Sequence, residues 1–101
     1  MRPICVYLSG PIRGVENYRA VFEKAAKKLQ KEGYEVLSPA TLPAGRCHAQ
    51  YMRVNFGYIE IADFVILLPG WENSKGAQLE KAFAEYIGTP VVIPSQKEEK
   101  P

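Results

Sequence analysis

The chain has 101 residues, the size of one domain, and 47% of them are hydrophobic, which is typical of a protein with a buried core. The formal net charge of +2 is too small to indicate a nucleic acid polymer or an anionic membrane as partner. The first residues are too short in apolar length for a signal peptide, and no stretch approaches the roughly 20 apolar residues of a membrane span.

The two cysteines are too few for a disulfide framework. Cys5 lies in an apolar run and Cys47 in a polar segment, so we expect both to be free thiols of a cytoplasmic protein. The single histidine, His48, follows Cys47, but two ligands do not make the usual four of a structural metal site. We therefore expect neither a metal nor a cofactor.

Four short apolar runs predict β-strands at residues 4–8, 34–37, 64–68 and 91–93. Three of them are nearly continuous in large apolar residues, which is typical of strands buried on both faces of a parallel sheet. Glu35 interrupts the second run, so we expect that strand at an edge.

Helical periodicity fills the segments between the strands. The first helix has an apolar face at three- and four-residue spacing, formed by Tyr18, Val21, Phe22, Ala25, Ala26 and Leu29. The opposite face carries four lysines that we interpret as solvated and not as a nucleic-acid stripe, namely Lys24, Lys27, Lys28 and Lys31. Gly33 is a C-cap signal.

Two further helices are predicted. One covers about residues 49–62, with Met52, Phe56 and Ile59 facing inward. The other begins after Ser74, a good N-cap residue, and ends at Gly88. Its expected inward residues are Leu79, Ala82, Phe83 and Tyr86.

This alternation predicts an α/β fold, a single flavodoxin/Rossmann-like three-layer domain over residues 1–101 with a parallel sheet of four to five strands. Residues 38–48 contain two prolines and Gly45 and show no period, so we expect a loop over one rim of the sheet. The charged residues 94–101 are expected to form a frayed tail.

In open α/β sheets, ligands bind beyond the carboxyl ends of the strands. Two glycine-containing loops follow the first and third strands, at residues 9–14 and 69–76, and each leads into a helix N-terminus that favours an anion. The first loop fits neither the dinucleotide fingerprint nor the Walker motif, and it could be a simple strand-to-helix connection. Arg13 favours a phosphate clamp, with a solvated loop charge as the alternative.

Glu80 is the candidate reactive residue, because it lies early in the third helix and borders its apolar face. Partial desolvation there would raise its pKa, although an ordinary surface glutamate is the alternative. Trp71 and Tyr51 could stack on a base or pack within their segments. Asp63 is interpreted as a helix-end or structural residue, with a catalytic acid as the alternative.

Three segments carry a resemblance to a known family. They are residues 6–14 (VYLSGPIRG), residues 51–56 (YMRVNF) before Ala62-Asp63, and residues 74–80 (SKGAQLE). In this order and spacing the chain resembles the nucleoside 2-deoxyribosyltransferase-like superfamily over roughly residues 3–93. It is most similar to the 2′-deoxynucleoside 5′-monophosphate N-hydrolases and to small bacterial and phage relatives.

The resemblance implies a role for each matching position. Glu80 matches the glutamate that attacks the anomeric carbon, and Tyr7 matches the tyrosine that orients it. The residues that match the family's 5′-phosphate site are Ser9, Gly10, Pro11, Ile12, Arg13, Gly14, Ser74 and Gly76. Asn55 occupies a position where the family usually has an aspartate, and an amide cannot deliver a proton to a leaving base.

These observations leave three hypotheses. The first is hydrolysis or transfer of the N-glycosidic bond of a nucleoside 5′-monophosphate, with Glu80 as nucleophile. The second, favoured by Asn55, is a non-catalytic protein that binds or sequesters a nucleotide. The third is an interaction domain with a vestigial pocket. The resemblance also implies a homodimer or larger homo-oligomer, which would cover Phe83 and Tyr86 on the third helix.

Overall fold

A computed structural model describes residues 2–94 of the chain. The strands are β1 (Cys5–Ser9), β2 (Glu35–Leu37), β3 (Phe64–Leu67) and β4 (Val91–Val92). The helices are α1 (Tyr18–Lys31), α2 (His48–Ile61) and α3 (Lys75–Ile87). All strands pair in parallel in the order β2-β1-β3-β4, which confirms the predicted α/β class and the edge position of β2.

The sheet separates two apolar layers because successive side chains of a strand point to opposite faces. On one face, Leu8 of β1 packs with Phe22 of α1. On the other face, Tyr7 packs with Ile59 of α2 and Ala84 of α3. Ser9 is two residues after Tyr7, so it faces the α2 and α3 layer as well.

The predicted helix boundaries agree with the structure within one or two residues, but the predicted inward face of α3 was wrong. Ala77, Glu80 and Ala84 are the buried residues of α3, while Tyr86 is 89% exposed. Leu79 and Ala82 are also exposed, and Phe83 is half-buried. Small alanines let α3 approach the sheet closely. Phe83 packs against the edge of the core as predicted, whereas Leu79 and Tyr86 point outward. Val21 of α1 is likewise exposed and not inward.

Residues 38–47 form the expected loop between β2 and α2, including one turn of 3₁₀ helix at Pro39–Thr41. Ser38 caps this turn by accepting a hydrogen bond from the Ala40 amide. The expectation of a frayed tail concerns residues that, apart from Pro94, lie outside the described part of the chain.

The amino ends of β1 and β3 are joined by Asp63. Its carboxylate accepts two hydrogen bonds from the Arg2 guanidinium, at 2.8 and 2.9 Å, and a third from the Cys5 amide at 2.7 Å. The hydrogen bond from Arg2 is the main reason that the pKa of Asp63 is well below its usual range. Asp63 therefore has the structural role expected of it, at the opposite end of the sheet from the predicted ligand site.

Candidate functional site

A cavity of about 570 Å³ lies where the loops that follow β1 and β3 meet the N-terminal halves of α2 and α3. Its volume is in the range of small-molecule binding sites. The loop between β2 and α2 contributes Pro39, Leu42 and Arg46 to the wall. The strand order explains the position, because β1 and β3 are adjacent while their connections leave in different directions.

Glu80 is the buried acid of this cavity. Its side chain borders the cavity, yet the residue is only 5% exposed. Oε1 accepts hydrogen bonds from Tyr7 Oη at 3.0 Å and Ser9 Oγ at 2.7 Å, and Oε2 accepts one from Asn55 Nδ2 at 3.1 Å. A carboxylate has about four acceptor sites, so Oε2 keeps one free while Oε1 is saturated.

Burial raises the pKa of Glu80, and the hydrogen bonds from Ser9, Tyr7 and Asn55 oppose this shift. These three donors stabilise the ionised form inside a largely desolvated site. The pKa of Tyr7 is well above its usual value because the ring is buried and faces the Glu80 carboxylate. Tyr7 therefore remains a hydrogen-bond donor to Oε1.

Asn55 contacts the second oxygen of the Glu80 carboxylate, Oε2. It is 4% exposed on α2, and its Nδ2 donates to Glu80. Its Oδ1 is buried and has no hydrogen-bond partner among residues 2–94. An unpaired buried acceptor costs about 1–3 kcal/mol. Asn55 thus holds the carboxylate in place at a cost to the stability of the fold.

The loop after β1 lies against the core. Gly10 has no room for a side chain, since a Cβ there would come 2.9 Å from the Cβ of Leu68. Gly14 has a φ of 81°, a conformation that side chains disfavour, although the space around it is open. Between the two glycines, Pro11, Ile12 and Arg13 line the cavity. Gly10 and Gly14 thus shape the turn that presents Arg13.

The loop after β3 brings the N-terminus of α3 to the cavity. Ser74 caps the helix by accepting a hydrogen bond from the Ala77 amide at 3.2 Å. Ser74, Lys75 and Gly76 all line the cavity. Their position at the start of a 13-residue helix favours an anion through the helix dipole and the free amides of the first turn.

Several cavity residues were missed by sequence reasoning. Arg46, Lys75 and His48 line the cavity, as do Tyr18 and Arg19 of α1. Arg19 is held by hydrogen bonds to the carbonyls of Ala40 and Leu42 and stacks over the Tyr18 ring. No local sequence pattern distinguishes these residues, because the folding of distant segments brings them together.

The structure brings most of the predicted site residues together. Those that line the cavity are Gly10, Pro11, Ile12, Arg13, Tyr51, Asn55, Ser74, Gly76 and Glu80. Tyr7 and Ser9 are fully buried behind Glu80 and contact it directly. Gly14 and Trp71 do not line the cavity.

Trp71 requires a correction. It lines a separate pocket of about 360 Å³ together with Leu67 and Ile93. Its ring packs against the core, and the Lys81 ammonium lies 5.8 Å from the ring centroid. Stacking of Trp71 on a base held above Glu80 does not fit this position. Tyr51 lines the main cavity, and its hydroxyl donates to the Pro43 carbonyl at 2.7 Å.

Cys5 is buried and Cys47 is exposed, and both are free thiols. In the described range, 2–94, no group of three or more His, Cys, Asp or Glu side chains could hold a metal ion. None of the helices within that range has the length and apolar character needed to cross a membrane.

Solved structures with the same fold include two enzymes. The first is a 2-desoxiribosyltransferase from Leishmania mexicana, with a TM-score of 0.72, 18% identity, and coverage of 90% of this chain and 63% of that one. The second is a 2-deoxyribosyltransferase from Bacillus psychrosaccharolyticus, with a TM-score of 0.68, 22% identity, and coverage of 88% and 70%. The chain therefore spans less than two thirds of the Leishmania protein.

No curated protein matches the chain in sequence. Residues 4–93 match a protein family described as a domain of unknown function, DUF4406. These two structures share the fold that the resemblance to the nucleoside 2-deoxyribosyltransferase-like superfamily implies. The chain is a member of the DUF4406 family, and it has the fold of the 2-deoxyribosyltransferases.

Proposed function

We propose that this protein cleaves or transfers the N-glycosidic bond of a nucleoside 5′-monophosphate, with Glu80 as the nucleophile. The observation that carries the proposal is the buried Glu80 carboxylate, which borders the cavity with one acceptor site of Oε2 unused. The names of the two structural neighbours describe enzymes that transfer deoxyribosyl groups, which supports the same class of bond.

The reaction follows from the geometry of the carboxylate. Oε2 attacks the anomeric carbon as the base departs through an oxocarbenium-like transition state, and a glycosyl ester forms. Water, or a second base, then attacks the same carbon and releases Glu80, so the configuration is retained. Tyr7 and Ser9 hold Oε1, and Oε2 keeps one acceptor site unused.

The 5′-phosphate would bind between the loop after β1 and the N-terminus of α3. Arg13 supplies a planar pair of donors, and the first turn of α3 supplies backbone amides near Ser74 and Gly76. Anchoring the phosphate fixes the sugar over Glu80, and such positioning supplies a large part of many enzymatic rate enhancements.

The direct test is release of free base from a panel of ribo- and deoxyribonucleoside monophosphates, followed by chromatography. We expect release by the wild-type protein and a loss of at least about 10³-fold in Glu80→Gln, as for removal of a covalent nucleophile. Glu85→Gln is the matched control, because Glu85 lies exposed on the same helix and pairs with Lys81. Equal release by Glu80→Gln and wild type would contradict the proposal.

A second candidate function is nucleotide binding without catalysis. Asn55 favours it, because an amide beside Glu80 cannot protonate a leaving base. Calorimetric titration distinguishes the two functions. If every nucleotide that binds at micromolar concentration is recovered intact after long incubation, the binder is supported and the enzyme is refuted.

A further inference from the structure

The proposed reaction requires the base to depart, and the cavity lacks an evident proton donor for it. Adenine, guanine, cytosine and uracil leave as poor anions unless an acid protonates them. Among the described residues that line the cavity, Glu80 is the only one with a carboxyl group, and it is already the nucleophile. Asn55, its neighbour, carries an amide.

Asp63 and His48, the two further side chains considered as a general acid, do not fill this role. Asp63 is bound to Arg2 and the Cys5 amide at the opposite end of the sheet. His48 lines the cavity, but it is exposed, and no hydrogen bond within residues 2–94 fixes its ring. A general acid must be positioned on the atom that it protonates, and this ring has no partner that positions it.

The cavity is also strongly cationic. Arg13, Arg46 and Lys75 line it, and none of the three forms an ion pair with a carboxylate of the described chain. Arg19 adds a fourth charge, although carbonyl groups hold its guanidinium. Only the Glu80 carboxylate opposes this charge among the described lining residues.

Such a field disfavours adding a proton to a neutral purine or pyrimidine, because that step creates positive charge among cations. A ring that already carries a positive charge needs no such step, and it loses that charge as it departs. The field attracts the phosphates that a nucleotide brings with it, and these phosphates offset the repulsion between the ring and the cations.

We propose that the base removed at this site is a pyridinium cation, so that the substrate is a pyridinium ribonucleotide such as nicotinamide mononucleotide or NAD⁺. This inference rests on the proposed function and specifies its leaving group. Such a substrate carries its positive charge in the scissile bond and needs no proton, which matches a site with Asn55 beside the nucleophile. The phosphates of the substrate bind near the four cationic side chains of the cavity, those of Arg13, Arg19, Arg46 and Lys75.

The atoms and charges balance without a co-reactant other than water. Oε2 of Glu80 forms a bond to the anomeric carbon while the carbon–nitrogen bond breaks, and its electron pair neutralises the pyridinium nitrogen. Neutral nicotinamide leaves, and a neutral glycosyl ester remains. Water then attacks the anomeric carbon, the carbon–Oε2 bond breaks, the carboxylate is restored, and one proton passes to solvent.

The test compares nicotinamide mononucleotide, NAD⁺, NADH and the common nucleoside monophosphates under one set of conditions. A general acid contributes about 10²–10⁴-fold, so we expect the pyridinium substrates to be cleaved at least about 100-fold faster than AMP. NADH is the matched control, because its dihydropyridine ring carries no positive charge. Faster cleavage of nicotinamide mononucleotide would indicate that the cavity binds one phosphate, and faster cleavage of NAD⁺ would indicate that it binds two.

A second experiment tests whether the site lacks a general acid because residue 55 is an asparagine. Without a general acid, the pH profile of kcat/KM for nicotinamide release has one ascending limb, which reports ionisation of Glu80. Asn55→Asp introduces an acid, and we expect it to raise release from AMP by about tenfold or more without a comparable gain for NAD⁺.

The possible failures are distinguishable. Release of adenine from AMP, or of the dihydropyridine base from NADH, as fast as release of nicotinamide from NAD⁺ would overturn the pyridinium assignment and leave the proposed function intact. A bell-shaped profile in the wild type would do the same. Absence of base release from every compound would overturn both.

Discussion

Glu80 is a buried acid in a site that stabilises its charge only in part, so it should make the stability of the fold depend on pH. Its pKa is raised by burial above the ordinary value of about 4.5. The folded state therefore binds the proton more tightly than the unfolded chain does. Protonation of Glu80 therefore stabilises the fold. This contribution to the free energy of unfolding is complete below pH 4.5 and is lost as the pH rises through the folded-state pKa of Glu80.

Glu80→Gln should remove this dependence. The expected result is that the free energy of unfolding of the variant, relative to wild type, rises as the pH increases from about 4 to 8. The amide of a glutamine also gives the unpaired Oδ1 of Asn55 a donor if the Asn55 side chain rotates. Urea denaturation at several pH values measures the difference. The control variant Glu85→Gln should differ from wild type by the same free energy of unfolding at every pH. If Glu80→Gln also differs from wild type by a constant amount, the predicted pH dependence is refuted.

Ser74 links the stability of α3 to the site, since it is both the cap of this helix and a cavity residue. Ser74→Ala removes an N-cap and should lower the free energy of unfolding by about 1 kcal/mol. Ser74→Asp keeps a capping oxygen and should retain stability, but its negative charge should repel a phosphate. Thermal denaturation and ligand titration of both variants check this. If Ser74→Asp and wild type bind phosphate with equal affinity, the anion does not bind at the N-terminus of α3.

The inward face of α3 shows where sequence periodicity fails at the scale of an element. Leu79, Ala82, Phe83 and Tyr86 form the more hydrophobic stripe, and we expected that stripe to face the core. The helix instead turns Ala77, Glu80 and Ala84 toward the sheet, because small residues allow close approach and the carboxylate finds three donors there. A buried polar residue whose partners lie up to 73 positions away leaves no signal in the local pattern.

Over the whole molecule, the strand positions, helix positions and sheet class could be predicted, because β-branched runs and glycine stops are local signals. The cavity could be predicted in outline, since parallel strands present their carboxyl ends to one edge of the sheet. The contributions of Arg46 and His48 could not be predicted, because the course of the loop at 38–47 depends on packing. The two alternatives for Trp71, base stacking and packing within its segment, could not be separated for the same reason.

The layer formed by α2 and α3 supports the expectation of a homo-oligomer, which stays a prediction. Large apolar residues of these two helices are exposed, namely Val54, Ile61, Leu79, Tyr86 and Ile87. Exposed apolar surface is typical of interaction sites when it forms a patch. We expect Leu79→Lys with Tyr86→Lys to lower the sedimentation coefficient, whereas Val21→Lys on the opposite layer should not. A monomeric wild type at tens of micromolar protein would refute this prediction.

The walls of the cavity come from segments far apart in the chain, since Arg13, Arg46 and Ser74 belong to three different connections. A nucleotide bound among them would link the first and last thirds of the polypeptide through non-covalent contacts. Every tenfold excess of ligand over its dissociation constant adds about 1.4 kcal/mol to the resistance of the fold to melting. A domain of this small size would then be most rigid when its substrate is abundant, and most easily degraded when the substrate is exhausted.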